Sequence, residues 1–329
     1  MFWLFVFSRF VVSLGQTCFT VVVPCVIADM FAGASRSCMY MLFYFAIPIG
    51  SGLGHIIGGK VAAVTGHWTW GVRITFVLGV ICISLIIFFV DEPKRGAAEE
   101  EQGQLLTTLA ATNYCEDLKS LSTNFTYIFA TAAYTAFVFA LGAVSWWAKE
   151  IIVHREAHTM GLNYTHLLPP GRKSMIDAIF GAITLTGGIV GIALGSVLSM
   201  LLRYGVGPSK CVQTERSDSI ICGIGSFLAA PLVYFLLYLI PIDMVDAWIT
   251  LFFTTTAMCL CWPLVVDLLV DIIIPSRRCV AVSWQTLISH AFGDAHSTYI
   301  IGMVSKCEVN GSRMSARISY REKPPLITH

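Results

Sequence analysis

The sequence predicts an all-α polytopic membrane protein, an incomplete helical bundle of about eight transmembrane helices. Three observations carry that reading. Hydrophobic residues make up 56% of the 329 and charged residues only 12%, where a soluble chain holds roughly a quarter charged. Eight apolar stretches approach or exceed the roughly 20 residues that cross a bilayer, and the mean hydropathy is +0.74. Glycines recur at four-residue spacing inside two of these stretches, the pattern that lets membrane helices pack closely.

The first stretch, Phe2–Ala28, carries Arg9 in its middle and has no basic start. It is also too long for a cleaved leader, so it reads as a spanning helix. The second, Met39–Val61, contains Phe43–Gly54, an apolar run broken by Pro48. Pro48 removes a backbone donor and invites a kink. Gly50, Gly54 and Gly58 fall on one helical face. The third stretch is Gly71–Val90. A polar segment over residues 91–124 follows, with an acidic run at Glu99–Glu101, and reads as a linker with a short surface helix around Tyr114–Leu121.

Five more stretches come after it: Phe125–Ala148, Met175–Leu202, Ile220–Ile240, Val245–Ile272 and Cys279–Val304. The chain thus divides into a three-helix portion (1–90), a linker (91–124), a five-helix portion (125–304) and a polar tail (305–329). Gly187, Gly191 and Gly195 repeat the glycine ladder of the second stretch. The two ladders either meet across the linker's two sides or pack helices within each portion. The loop Glu150–Lys173 contains Asn163-Tyr164-Thr165, a glycosylation acceptor pattern where it faces the lumen or exterior. Trp262-Pro263 predicts a bend in the seventh stretch.

Basic residues orient the chain. With the linker in the cytosol, Arg36, Lys94, Arg95, Lys119, Arg203, Lys210, Arg216, Arg277 and Arg278 share its side. Trp68, Trp70, Trp146 and Trp147 then lie at the opposite boundary, as interfacial aromatics do. An eighth span places the basic tail on the outer side, against that rule. A net charge of +1 gives no case for nucleic acid. The 11 cysteines lie mostly in apolar stretches without ligand spacing, so neither a metal nor a disulfide framework is expected, and no cofactor is implied.

Ionisable groups inside spans are costly and become functional candidates. Arg9 is alone in its stretch and suits a lipid phosphate or a buried acid. Asp267 and Asp271 lie one turn apart and so share a face, where like charges favour a shared proton. Asp271 is alternatively expected to reach the cytosolic interface beside Arg277 and Arg278. His290 and Asp294 repeat the one-turn spacing and form either a pH-responsive pair or a structural one. Ser289, His290 and Asp294 list the members of a hydrolase triad, but adjacent helical residues point about 100° apart. With no nucleophile elbow, no catalytic residue is assigned.

Several ordered runs resemble the Spinster family of the major facilitator superfamily. They are Ile27-Ala-Asp-Met-Phe31, Phe43–Gly54, Glu92-Pro93 with Arg95-Gly96, and Ile274-Pro275 with Arg277-Arg278. Ser289–Ala295 followed by Tyr299-Ile-Ile-Gly302 completes the set. The resemblance covers roughly Phe2–Lys306. It implies a twelve-helix fold of which helices four to eleven are represented here. It also implies transport of lysophospholipids or sphingoid lipids by alternating access, proton-coupled, in late endosomal, lysosomal or plasma membranes. In the family's pattern Arg9 faces the central cavity, Gln16 stands where an acid serves proton coupling, and Phe10 and Ser13 replace glycines. Asp267, His290 and Asp294 match polar positions of the family. The two glycine ladders are expected to meet between the halves. A chain without the coupling acid is alternatively expected to associate with a full-length relative without transporting, or to be part of a longer gene product.

Overall fold

The computed structural model describes residues 2–67, 69–90, 113–162, 164–205, 213–214 and 216–304. Asn163, most of the linker and the tail from 305 lie outside the described residues. Long helices dominate: α1 Phe2–Met30, α2 Gly33–Thr65, α3 Thr69–Phe89, the short α4 Tyr114–Thr123, α5 Phe125–Thr159 and α6 Pro170–Tyr204. They continue as α7 Ser217–Leu239, α8 Met244–Cys259, α9 Trp262–Ile272 and α10 Arg278–Ser289. A π turn, His290–Asp294, extends α10, and helix resumes over 295–304.

Seven segments among the described residues are long and apolar enough to cross a membrane, α8 and α9 together forming one of them. The eighth expected span exists as α10 with its extension, interrupted by the π turn. The bend expected at Trp262-Pro263 is a break between α8 and α9, with Pro263 in the first turn of α9, where its missing N–H costs nothing. Helix ends follow the same logic: α2 and α6 stop at Gly66 (φ 72°) and Gly205 (φ 62°), whose N–H groups cap Ala62 and Leu201 carbonyls. That left-handed backbone favours glycine.

Buried side chains gather where α6, α8 and α9 sit between their neighbours. One cluster joins Ile27, Ala28, Tyr40 and Tyr44 of α1 and α2 to Ile192, Cys259, Val266 and Val270. A second joins Ala148, Ile152 and Val153 of α5 to Phe180, Leu236 and Leu251. By contrast α3 buries no residue, and the first half of α1 is exposed.

The main junction across the linker's two sides is α2 against α6, as the glycine content suggests, but it is made by other glycines. Gly52 meets Gly181: a Cβ on either would sit 2.6 Å from the other's carbonyl oxygen. Pro48 rests on Gly188, and Gly59 faces Asp177, whose Cβ would be 2.7 Å away from an added Cβ. Gly50, Gly54 and Gly58 point into open space, although a Cβ on Gly71 at the start of α3 would lie 3.7 Å from Gly58 Cα. Gly187, Gly191 and Gly195 contact Phe252, Thr256, Cys259 and Leu260 of the α8–α9 segment. The expected pairing of the two ladders is therefore corrected. The second ladder packs helices within its own portion, and the first lies on the opposite face of α2 from the junction. Pattern alone could not show this, because α2 carries glycine on more than one face.

This difference has a measurable consequence. Gly52→Ala forces apart two backbones in contact and is expected to lower stability by about 1–3 kcal/mol. Gly54→Ala, with open space around it, is expected to be neutral or stabilising by up to ~1 kcal/mol through helix propensity. Thermal unfolding of both variants in detergent checks the contrast; equal effects would contradict the assignment of faces.

Candidate functional site

At the linker end of α2, a cluster of buried charges joins four helices. Arg36, one turn into α2, reaches Asp267 of α9 with Nε 2.8 Å from Oδ1, and its Nη2 donates to Asp271. The Ser37 hydroxyl donates to the other Asp267 oxygen. Arg203, in the last turn of α6, donates to Asp271 and lies 3.5 Å from Asp218 of α7 and 4.0 Å from Asp267. Asp218 in turn accepts from the Ser199 hydroxyl, and Ser199 and Ser217 are 3.0 Å apart. Side chains of Arg36 and Asp267 are only 7% and 2% exposed, whereas Asp271 is 34% exposed.

Each helix presents its charge for a local reason. Asp267 and Asp271 sit one turn apart on α9, so both carboxylates leave from one face. Arg203 lies at a helix C-terminus, where a cation is favoured. Asp218 sits in the first turn of α7, where an anion is favoured. Transferred from water, these groups would be strongly destabilising alone; ion pairing and hydroxyl hydrogen bonds offset that cost.

A second polar locus lies where α1 meets α10. A cleft of about 510 Å³ is lined by Thr17, Cys18, Val21 and Val22 of α1 and by Ser283, Thr286, Leu287 and His290 opposite. His290 Nδ1 is 3.1 Å from Asp294 Oδ2 across the π turn. The π turn is seated on α5 by glycine: a Cβ on Gly142 would lie 2.6 Å from Asp294 Cβ, and one on Gly293 would lie 2.9 Å from Val138 Cγ1. Within the turn, the Ala291 carbonyl is met by His296 Nδ1 at 2.5 Å. Single π turns concentrate at functional sites.

Residues 1–295 match the sequence profile of the Major Facilitator Superfamily. The chain belongs to that superfamily. It is 34% identical over 304 residues to the sphingosine-1-phosphate transporter SPNS2 of Danio rerio. It is 35% identical over 308 residues to Protein spinster of Drosophila melanogaster and over 304 to Protein spinster homolog 1 of Mus musculus. In each case 92% of this chain is covered, against 58%, 47% and 56% of the relative. It thus spans about half the length of the curated relatives it matches. The Spinster resemblance and the all-α superfamily fold stand together, and the protein is an integral membrane protein.

In this superfamily member the expected site residues divide between two places. Asp267 belongs to the charge cluster, while His290 and Asp294 belong to the α1–α10 cleft. Among the described residues no hydrogen bond or ion pair joins the two. Asp271 departs from its expected place beside Arg277 and Arg278. It pairs instead with Arg36 and Arg203, while Arg277 pairs with Asp117 of α4 at 2.7 Å and Arg278 donates to the Val270 and Ile273 carbonyls at 3.2 Å each. Arg9 and Gln16 are exposed on α1; Gln16 precedes Thr17 on the cleft wall. Ser289 is fully buried and donates to Thr286 O at 3.0 Å, so it does not join His290 as a nucleophile.

Arg36, Arg203 and Asp218 are the members of the charge cluster that the sequence reading did not single out as site residues. Arg36 lies in Ser35-Arg36-Ser37, which reads as loop because the apolar run starts at Met39. The helix begins at Gly33, which draws the charge inside. Spacing offered a usable signal: Arg203 and Asp218 flank one short connection and lie at opposite helix termini of matching sign.

A double-mutant cycle tests the cluster. Asp267→Leu leaves Arg36 without its fully buried partner and is expected to cost about 3–5 kcal/mol. The double variant Arg36→Leu/Asp267→Leu is expected to be clearly more stable than Asp267→Leu, as read by thermal unfolding in detergent. Additive losses would show that the two side chains do not depend on each other.

Proposed function

We propose that this superfamily member moves a lysophospholipid or sphingoid lipid across the membrane by alternating access, with proton binding linked to the charge cluster. The observation carrying this reading is that the Arg36–Asp267–Asp271–Arg203 cluster binds helices from both sides of the linker at one end of the membrane. Beside it runs the glycine-packed α2–α6 junction, smooth enough for one portion to rock on the other. Opening that end requires Arg36 to leave its carboxylates. A proton on Asp271, the most exposed of them, lowers the cost of leaving a charge behind. Gln16 is a neutral amide, and the carboxylates of the cluster and the His290–Asp294 pair are assigned to proton binding.

The α1–α10 cleft supports the cargo class. Its wall combines hydroxyls of Thr17, Ser283 and Thr286 and the His290 ring with apolar Val21, Val22 and Leu287, an amphipathic lining that suits one tail and one polar head. On the same α1, Arg9 is assigned to the headgroup phosphate, in keeping with the sphingosine-1-phosphate transport named for the Danio rerio relative. Pro48 and the glycines of α2 and α6 are assigned to gating. A second reading is favoured by the uncovered α3 and first half of α1: the chain associates with a full-length relative and carries no lipid alone.

Lipid flux into proteoliposomes of the purified chain separates these readings. Sphingosine-1-phosphate or lysophosphatidylcholine flux above empty vesicles is expected for a carrier, and none for the second reading. Arg9→Ala is expected to reduce flux of the phosphate lipid by about tenfold or more, the worth of a charge-assisted hydrogen bond. Undiminished flux in that variant would move the headgroup site elsewhere.

A further inference from the structure

Two thiols meet across the division between the chain's two portions. Cys25 belongs to α1, before the linker, and is 6% exposed. Cys279 belongs to the first turn of α10, after the linker, and is exposed. The walls of the α1–α10 cleft give the register independently. Val21 and Val22 line one wall, and Ser283 and Thr286 the other. At the end that holds the charge cluster α1 finishes and α10 begins, so the two helices run antiparallel. One more turn toward that end brings Cys25 opposite Cys279. Contacts agree: Cys25 packs in one cluster with Ala281 and Val282 of α10, and a hydrogen bond joins its thiol to that of Cys279.

The two sulfurs differ in what they can do. Reactive thiols are accessible and lie in positive surroundings. Cys279 meets both conditions, directly after Arg277 and Arg278. Cys25, clustered with Tyr127, Leu269 and Val282, is sheltered from solvent but within reach of its neighbour. An accessible thiol beside a second one is the arrangement that captures an oxidised sulfur as a disulfide.

We propose that Cys25 and Cys279 form a reversible disulfide, made by hydrogen peroxide, that ties the two portions together at the linker end. The Cys279 sulfur attacks one peroxide oxygen; the O–O bond breaks, water leaves, and the sulfur becomes a sulfenic acid. The Cys25 sulfur then displaces that hydroxyl, which departs with the Cys25 proton as a second water. Two thiols thus lose two hydrogens and two electrons, and peroxide is reduced to two waters. A dithiol reductant reverses the step by exchange. On the cytosolic side, to which the basic residues assign the linker, thiols are kept reduced, so the tie forms only under oxidant. Its place gives it an effect. Pro24, next to Cys25, already accepts from Tyr40, one turn beyond Arg36, so the tie fastens α1 beside the Arg36–Asp267 pair and opposes separation of that end. This locking role rests on the alternating-access reading; disulfide formation does not.

The test uses the full chain in detergent, reduced, freed of reductant and exposed to hydrogen peroxide. Digestion without reductant, followed by mass spectrometry, is expected to recover a Cys25–Cys279 peptide pair lighter by two hydrogens. Dithiothreitol is expected to dissolve it, and Cys279→Ser to abolish it. Cys25→Ser is expected to leave Cys279 as a sulfenic acid that a cyclic 1,3-dione traps. Absence of the peptide pair would overturn the proposal, as would disulfides from Cys279 to other cysteines in its place. In proteoliposomes that carry lipid, peroxide is expected to stop flux, dithiothreitol to restore it, and the Cys25→Ser chain to be insensitive. Unchanged flux through a chain whose disulfide has been mapped would overturn the locking role. The mapping needs no transport, so failure of the carrier reading leaves it standing.

Discussion

A guanidinium and a carboxylate held 2.8 Å apart with almost no water around them constrain this molecule more than any apolar contact does. In a bilayer, apolar helices gain little by touching each other, since lipid is as good a neighbour as leucine. Arg36 and Asp267 have no such indifference. Either charge exposed to hydrocarbon is costly, so α2 is tied to α9, and through Asp271 to α6. The position of α2 fixes which of its faces meets α6, and the contacts of Gly52, Gly181, Pro48 and Gly188 follow from that placement.

The same constraint orders the rest of the linker end. Tyr40, one turn beyond Arg36, donates to the Pro24 carbonyl at 2.9 Å and so anchors α1. Arg277 holds α4 through Asp117, and Tyr127 donates to the Ala281 carbonyl at 3.0 Å, joining α5 to α10. Buried charge pairs thus concentrate at one end of the helices, while the opposite end is held by packing around Ala148, Phe180 and Leu251, with ion pairs between α5 and α6 at 2.8 Å (Lys149 and Asp177) and 3.7 Å (Glu156 and Arg172).

Much of the fold was legible in the chain itself. Runs of apolar residues located every long helix, because length and hydropathy are what a bilayer selects. Trp262-Pro263 marked the α8–α9 break. The candidate site was legible in part: Asp267, His290 and Asp294 stood out as ionisable groups in apolar stretches. Arg36 did not, since the helix that buries it starts six residues before the apolar run. The partners of Asp271 were equally hidden, because Arg203 lies far along the chain and only tertiary structure brings it near. Glycine spacing revealed that close contacts exist but not which face makes them, as Gly52 and Gly54 show within one turn of the same helix.

The π turn at His290–Asp294 sets the phase of the last helix. Ser283, His290 and Ser297 are seven residues apart and would share one stripe on a regular α-helix. A turn that holds an extra residue slips the register by about 100°. Ser283 and His290 accordingly look toward α1, whereas Ser297 lies against Gly142 of α5 with no exposed surface. A wheel drawn through 278–304 as a single helix would therefore misplace everything after Asp294.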